Sequence, residues 1–290
     1  MPDFPYINAR VRAMRSRLLD AARVDELLAA PSFEAFVHAL GSTPYGRDLS
    51  EAQTRYQGLA AVDEALARNF RATTTKILSF ADGQAKALIA AVLLRWDLAN
   101  IRAILRGKHT SRSEEEIMAS VLPAGPLGDA ALRDLVRQPD VGAVAGALEA
   151  MGHPLAPGVA AALAGYQADQ DLMRLELSLD RVYAEVVLAA ARAHGHNEEV
   201  LRRTVQAEID AFNVKAAVKL ARLEEGLDEA TRRRFFIPGG AVVDEKLFLG
   251  LSARETLEGA WQVLGVRGFA AGSVPDDLTE FERSLDSQLA

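Results

Sequence analysis

Apolar residues in this chain recur at steps of three and four, the period of one face of a helix. Between Met173 and Arg192, for example, Leu175, Leu179, Val182, Val186 and Ala190 fall on one face, while Arg181, Glu185 and Arg192 leave it. Alanine, leucine, arginine and glutamate dominate the rest, and all four favour helix. The alternation of a half-buried strand is missing. Ala241-Val242-Val243 comes closest and is too short to found a sheet. The pattern predicts an all-α fold.

The same pattern also repeats. Leu59, Val62, Leu66 and Phe70 are spaced 3, 4, 4, as are Leu172, Leu175, Leu179 and Tyr183, and again Leu278, Phe281, Leu285 and Leu289. Arg68 and Arg181 stand two residues before the aromatic in the first two. Asn100 lies 30 residues beyond Phe70, and Asn213 lies 30 beyond Tyr183. Tyr6-Ile7-Asn8-Ala9-Arg10 is a weaker copy, and in all three the second residue after the asparagine is basic: Arg10, Arg102, Lys215. A further marker, Phe36-Val37-His38-Ala39-Leu40, returns around Leu148 and, more loosely, around Leu264.

One unit of roughly a hundred residues therefore runs through the chain nearly three times, too long for a solenoid of two-helix repeats of roughly 20–50 residues. The expectation is three similar helical bundles related by pseudo-threefold symmetry, over about residues 5–75, 76–190 and 191–290. By the 30-residue rule the third asparagine helix would fall near position 319, beyond Ala290. Either the chain runs on, or the copy at Asn8 takes that place; on this reading the third unit lacks its C-terminal segment.

Composition narrows the function. The net charge of −7 argues against nucleic acid, whose partners need a basic surface. The absence of cysteine removes disulfides, thiolate metal sites and a cysteine nucleophile together. No stretch reaches the roughly 18 apolar residues of a membrane span; Ala87–Leu94 is closed by Lys86 and Arg95, and Val186–Ala191 is shorter still. The N-terminus shows no secretory leader pattern.

Catalytic constellations are missing too. Neither a phosphate-cradling Gly-x-x-x-x-Gly-Lys-Ser/Thr nor a Gly-x-Gly-x-x-Gly is present. His194 and His196, beside Asn197, read as a loop and do not place two ligands on one helix face. Asp276-Asp277-Leu278-Thr279-Glu280 has the look of the aspartate-rich motif of magnesium-dependent all-α enzymes, yet Asp169-Gln170-Asp171 is a poor second cluster. Pro275 followed by two carboxylates is also how a helix begins. Arg232-Arg233-Arg234 reads as a charged helix end or as a partner contact. The repeated Asn–basic pair has two readings as well. The asparagine bonds a neighbouring loop while the base is solvated, or three equivalent helices turn their bases toward one axis and grip a partner.

Taken together, Tyr6-x-Asn8-Ala9-Arg10-Val11-Arg12, Leu40-x-x-Thr43-x-Tyr45, Asp97-Leu98-x-Asn100-Ile101-Arg102-x-Ile104-Leu105-Arg106-x-Lys108, Glu208-x-Asp210-x-x-Asn213-x-Lys215 and Phe235-Phe236-Ile237-Pro238-Gly239-Gly240 resemble the C subunit of bacterial and archaeal V/A-type ATPases, and more distantly the eukaryotic d subunit. The resemblance runs the whole length, except that family members continue past Leu289. It implies a funnel of three helical bundles around a central cavity, placed between the membrane rotor ring of proteolipid subunits and the shaft formed by the D and F subunits. It further implies a non-catalytic coupling subunit with no nucleotide, ion or cofactor site of its own, cytoplasmic and peripheral to the membrane through the complex. On that reading Arg10, Arg102, Arg106, Lys215 and Lys219 contribute to a polar shaft socket. A helical adaptor unrelated to rotary motors is the alternative, and the magnesium enzyme a third.

Overall fold

A computed structural model describes residues 4–193, 195–223, 226–254, 256–266 and 273–289. Within them all regular structure is helical, and Ala241-Val242-Val243 is an irregular loop. The chain divides into two compact units, Met1–Gly107 with Ser111–Arg137, and Lys108–Thr110 with Gln138–Ala290.

The first unit opens with α1 (Phe4–Arg15), followed by α2 (Ala21–Leu28), α3 (Phe33–Gly41), α4 (Gly46–Ala52) and α5 (Leu59–Ser79). The helices from α2 to α5 pack in order, around Leu27, Leu40, Leu49, Ala61, Val62 and Ala65. Side chains start the helices where the sequence offers an acceptor: Asp20 takes the Arg23 N–H and Ser32 takes the Ala35 N–H, filling donors that a helix start leaves open. The long α6 (Gly83–His109) then leads to α7 (Glu114–Ala119) and α8 (Asp129–Val136), and Ser113 with Glu116 closes a reciprocal capping box at α7.

The second unit repeats this order with α9 (Val141–Ala150), α10 (Ala156–Asp169), α11 (Leu172–Ala190), the long α12 (His196–Leu220) and α13 (Glu229–Arg233). It ends with α14 (Glu245–Ser252), α15 (Leu257–Val266) and α16 (Leu278–Leu289). Its main core gathers Val214, Val218, Phe248, Leu251, Trp261, Leu264, Phe281 and Leu285, with the Trp261 and Phe281 rings edge to face at 5.4 Å. Leu40, Leu148 and Leu264, the three aligned leucines, are all buried.

Local turns repeat as well. Thr43 Oγ1 accepts the Tyr45 N–H before α4, and His153 Nδ1 accepts the Leu155 N–H before α10, each across an intervening proline. Asn69 on α5 donates to Asp48 on α4 at 2.7 Å. At the matching places Gly158 approaches α11 so closely that a Cβ there would stand 3.3 Å from Val182 Cβ.

The predicted faces hold only in part. On α5, Val62 is buried but Leu59 and Leu66 are exposed, and the inner stripe is Ala61, Val62 and Ala65. Small side chains let α4 lie close, so the larger leucines are left on the outside. On α11, Leu175 and Leu179 are buried, Val182, Val186 and Ala190 only half so, and further deep positions are Leu177, Ala184 and Val187. That helix packs against both α10 and α12, and two neighbours bury a wider arc than one stripe. On α16, Phe281 and Leu285 are buried; the Leu289 side chain lies outside the described residues.

Candidate functional site

The repeated asparagine has a structural role. Asn100, in α6, donates from Nδ2 to the Leu122 carbonyl at 2.7 Å and accepts the Leu122 N–H at 2.8 Å. Asn213 on α12 does the same with Ile237, at 2.7 and 2.9 Å. A carboxamide offers one donor and one acceptor side by side, the combination an isolated backbone residue needs when no strand pairs with it.

One turn earlier on each helix stands a buried aspartate. Asp97 accepts the Leu127 N–H, 3.1 Å from each carboxylate oxygen. Asp210 accepts three successive N–H groups, from Ala241, Val242 and Val243, at 2.8 to 2.9 Å. All four side chains are essentially inaccessible. The returning loop must come within a hydrogen bond of the carboxylate, so its tightest residue is glycine in both copies. A Cβ on Gly125 or Gly240 would sit 2.0 Å from Oδ1 of Asp97 or Asp210.

Each clasp thus ties a long helix to the loop that returns past it 22 to 33 residues later. The full repeated signal is Asp-x-x-Asn on a helix followed by Leu122-Pro123-Ala124-Gly125 or Ile237-Pro238-Gly239-Gly240. The spacing of the asparagines alone does not expose the second half of this signal; aligning the residues that follow them finds it. Asn8 differs. It is exposed on α1 and takes no part in either clasp.

The five basic residues expected to form a shared socket have varied surroundings. Arg10 is half-buried, donates to the Tyr6 hydroxyl at 2.6 Å, and lies with its guanidinium carbon 4.4 Å from the Phe80 ring centre. Arg102 and Lys215 are half-buried and interact within the fold. Arg106 and Lys219, one turn further along α6 and α12, are exposed; Lys219 pairs with Glu282 at 2.6 Å.

Residues 7–290 match the family described as ATP synthase (C/AC39) subunit. Similar proteins include the C subunit of the V-type ATP synthase of Deinococcus radiodurans, 35% identical over 83% of this chain and 66% of the relative. The corresponding V-type C subunit of Thermus thermophilus is 35% identical over 98% of this chain and 81% of its own length. The A-type ATP synthase C subunit of Haloferax volcanii is 30% identical over 98% of this chain and 81% of its own. The chain belongs to the ATP synthase C/AC39 subunit family. The expected resemblance is therefore correct, and the clasp residues sit where the motifs that carried the resemblance stand. A member of this family works within a complex of ATP synthase subunits.

The other sequence motifs of this family member have structural partners. Asp277 caps α16, accepting the Glu280 N–H at 2.7 Å, while Glu280 accepts the Asp276 N–H at 2.7 Å. The helix-start reading of the acidic run is the one observed. In the basic run, Arg232 and Arg233 close α13, where cations favour the helix end. Arg233 pairs with Glu229 and Glu245 at 2.7 and 2.5 Å, and Arg232 donates to the Ser252 carbonyl at 3.2 Å.

The paired arginines of the repeat have diverged. Arg68 pairs with Asp48 and Glu51, whereas Arg181 donates to the carbonyls of Arg234 and Phe236. His196 and Asn197 begin α12 and are not in a loop as expected; Gly195 is the cap, and Glu198 and Glu199 place carboxylates in the first turn, where they favour a helix start. His194 lies outside the described residues. Among the described residues no helix is long and apolar enough to cross a membrane.

Proposed function

We propose that this chain is the non-catalytic coupling subunit of a rotary V/A-type ATPase, joining the D–F shaft to the proteolipid rotor ring so that ion flow and ATP chemistry turn together. The observation that carries this reading is the match of nearly the whole chain to relatives named as C subunits of ATP synthases. The fold supplies a physical reason. A part that transmits torque must not yield, and α6 and α12, each about 40 Å long by helical rise, are each tied to a loop by a buried clasp that spans one turn.

In this reading the repeats form three similar bundles, residues 5–75, 76–190 and 191–290, around a funnel with pseudo-threefold symmetry. The order of helices and turns that recurs through both compact units supports it. The protein acts from the cytoplasmic side, attached to the membrane through the complex. Arg10, Arg102, Arg106, Lys215 and Lys219 contribute polar contacts to the shaft socket, with Arg106 and Lys219 the most accessible.

The test is affinity for the isolated D–F shaft measured against ionic strength. Arg106→Glu combined with Lys219→Glu leaves both clasps intact. It should weaken shaft binding and flatten its salt dependence, since exposed charge contacts are screened by salt. Unchanged affinity and unchanged salt slope in the folded double variant would remove these residues from the socket. Failure of the wild type to bind shaft or ring at all would overturn the coupling role and leave the family membership in place.

A further inference from the structure

We infer that the open groove between α3, α4 and the start of α5 is a docking site for a short helical segment of another protein subunit, bearing an apolar face with an aromatic and a basic residue opposite Glu34. The groove has a volume of about 680 Å³ and is walled by Phe33, Val37, Leu49, Ala61 and Val62, with Glu34 at its edge.

The chain itself contains a filled version of the same site. Residues 32–40 correspond to 140–148, cap for cap (Ser32, Asp140) and leucine for leucine (Leu40, Leu148). From Thr43-Pro44 onward, residues 43–57 correspond to 153–167, so Tyr56-Gln57 stands at the place of Tyr166-Gln167. In the second copy α10 continues to Asp169, and its latter half covers the start of α9. Tyr166 is 6% exposed there, with its hydroxyl 3.0 Å from His109 Nδ1 at the end of α6; Val141 is 4% exposed, and Gln167 Nε2 lies 3.6 Å from where a Gly142 side chain would begin. In the first copy α4 stops at Ala52. Phe33, the counterpart of Val141, is 45% exposed, and so is Tyr56.

The reason is chain length. Residues 53–58 connect α4 to α5, whereas 163–171 span the equivalent stretch in the second copy, so three residues, close to one helical turn, are missing. The first copy keeps the receptor half of a helix-packing site and lacks the helix that fills it. The second half of α10 is then the template for the occupant: about two turns of helix with small residues and one aromatic facing inward.

Charge refines that template. Glu34 replaces Gly142, the residue that faces Gln167, and no lysine or arginine lines the groove among the described residues. A Lys or Arg at the place of Gln167 would complement this carboxylate. The inference rests on membership in a multi-subunit assembly and not on shaft–ring coupling, so its failure leaves the shaft affinity measured above unaffected.

The experiment places a benzophenone amino acid at Phe33 of the full chain, within the ATPase complex assembled with its own partner subunits, and at exposed Met173 as a control. Irradiation should give one adduct specific to Phe33. Its partner peptide, identified by mass spectrometry, should be a helical segment of a different subunit that bears an aromatic and a Lys or Arg. Glu34→Lys should cut the yield about tenfold, matching the loss of one favourable charged contact and its replacement by a repulsive one. Val37→Glu should abolish it while circular dichroism stays unchanged. No specific adduct, an adduct with residues 53–58 of the same chain, an adduct with a second copy, or a yield indifferent to Glu34→Lys would each overturn the proposal.

Discussion

Replacing Asp210 with alanine should unfold the second compact unit at markedly lower denaturant and leave the first unaltered. The carboxylate is buried and accepts three backbone N–H groups. Bonds to a charged acceptor contribute about 1.5–3 kcal/mol each, and a buried donor left unpaired costs about 1–3 kcal/mol. Val243 is buried, so its N–H would stay unsatisfied, while Ala241 and Val242 lie closer to solvent and would re-bond to water. The net cost is then about 3–5 kcal/mol, a large share of the roughly 5–15 kcal/mol that holds a domain together. With a urea slope of about 1–3 kcal/mol/M, the midpoint should fall by roughly 1–5 M.

The geometry makes a sharper demand. In Gly240→Ala the new methyl would stand 2.0 Å from Asp210 Oδ1, so it removes the same clasp from the loop side. The double variant should therefore cost little more than either single, giving a coupling free energy well above the roughly 0.5 kcal/mol of independent sites. Asp97→Ala and Gly125→Ala should couple in the same way in the first unit. Two-phase urea unfolding, followed by circular dichroism, reads both units. Additive costs for Asp210→Ala and Gly240→Ala, or a loss under about 1 kcal/mol for Asp210→Ala, would refute the clasp as the tie between helix and loop.

Phe281→Ala empties a fully buried ring site against Trp261 and should cost about 3–5 kcal/mol with a red shift in tryptophan emission; a loss under about 1 kcal/mol would contradict the packing. The Ser113 N–H, then the Ser113 hydroxyl, hold the Glu116 carboxyl below its ordinary 4.5. This cap is fully formed above that value and fails as pH falls through the lowered one, so Ser113→Ala, which removes the hydroxyl and keeps the N–H, should move the NMR-titrated Glu116 part of the way back up. Burial, and secondarily Asp140, push the Tyr166 phenol above its ordinary 10.0. Stability from its neutral form is fully present below that ordinary value and is lost as pH rises through the raised one. Ultraviolet titration should find it ionising after the exposed tyrosines, and Tyr166→Phe should remove that late step.

The all-helical class, the repeat and the family were written in the sequence, because helical period and motif spacing survive in one dimension. Asn100 and Asn213 stood out there as recurring positions, Asp97 and Asp210 only as members of the family motifs, and nothing local distinguished a buried clasp from a socket. Tertiary structure decided that, since whether a polar side chain faces a loop or solvent depends on where a segment 22 to 33 residues later returns. It also decided which apolar residues are core. Leu59 and Leu66 share the 3, 4, 4 pattern of Leu172 and Leu179, yet both are exposed while Leu179 is buried. Periodicity reports that a face is apolar; only the neighbouring helix, which on α5 meets the small Ala61 and Ala65, determines which residues of that face are covered.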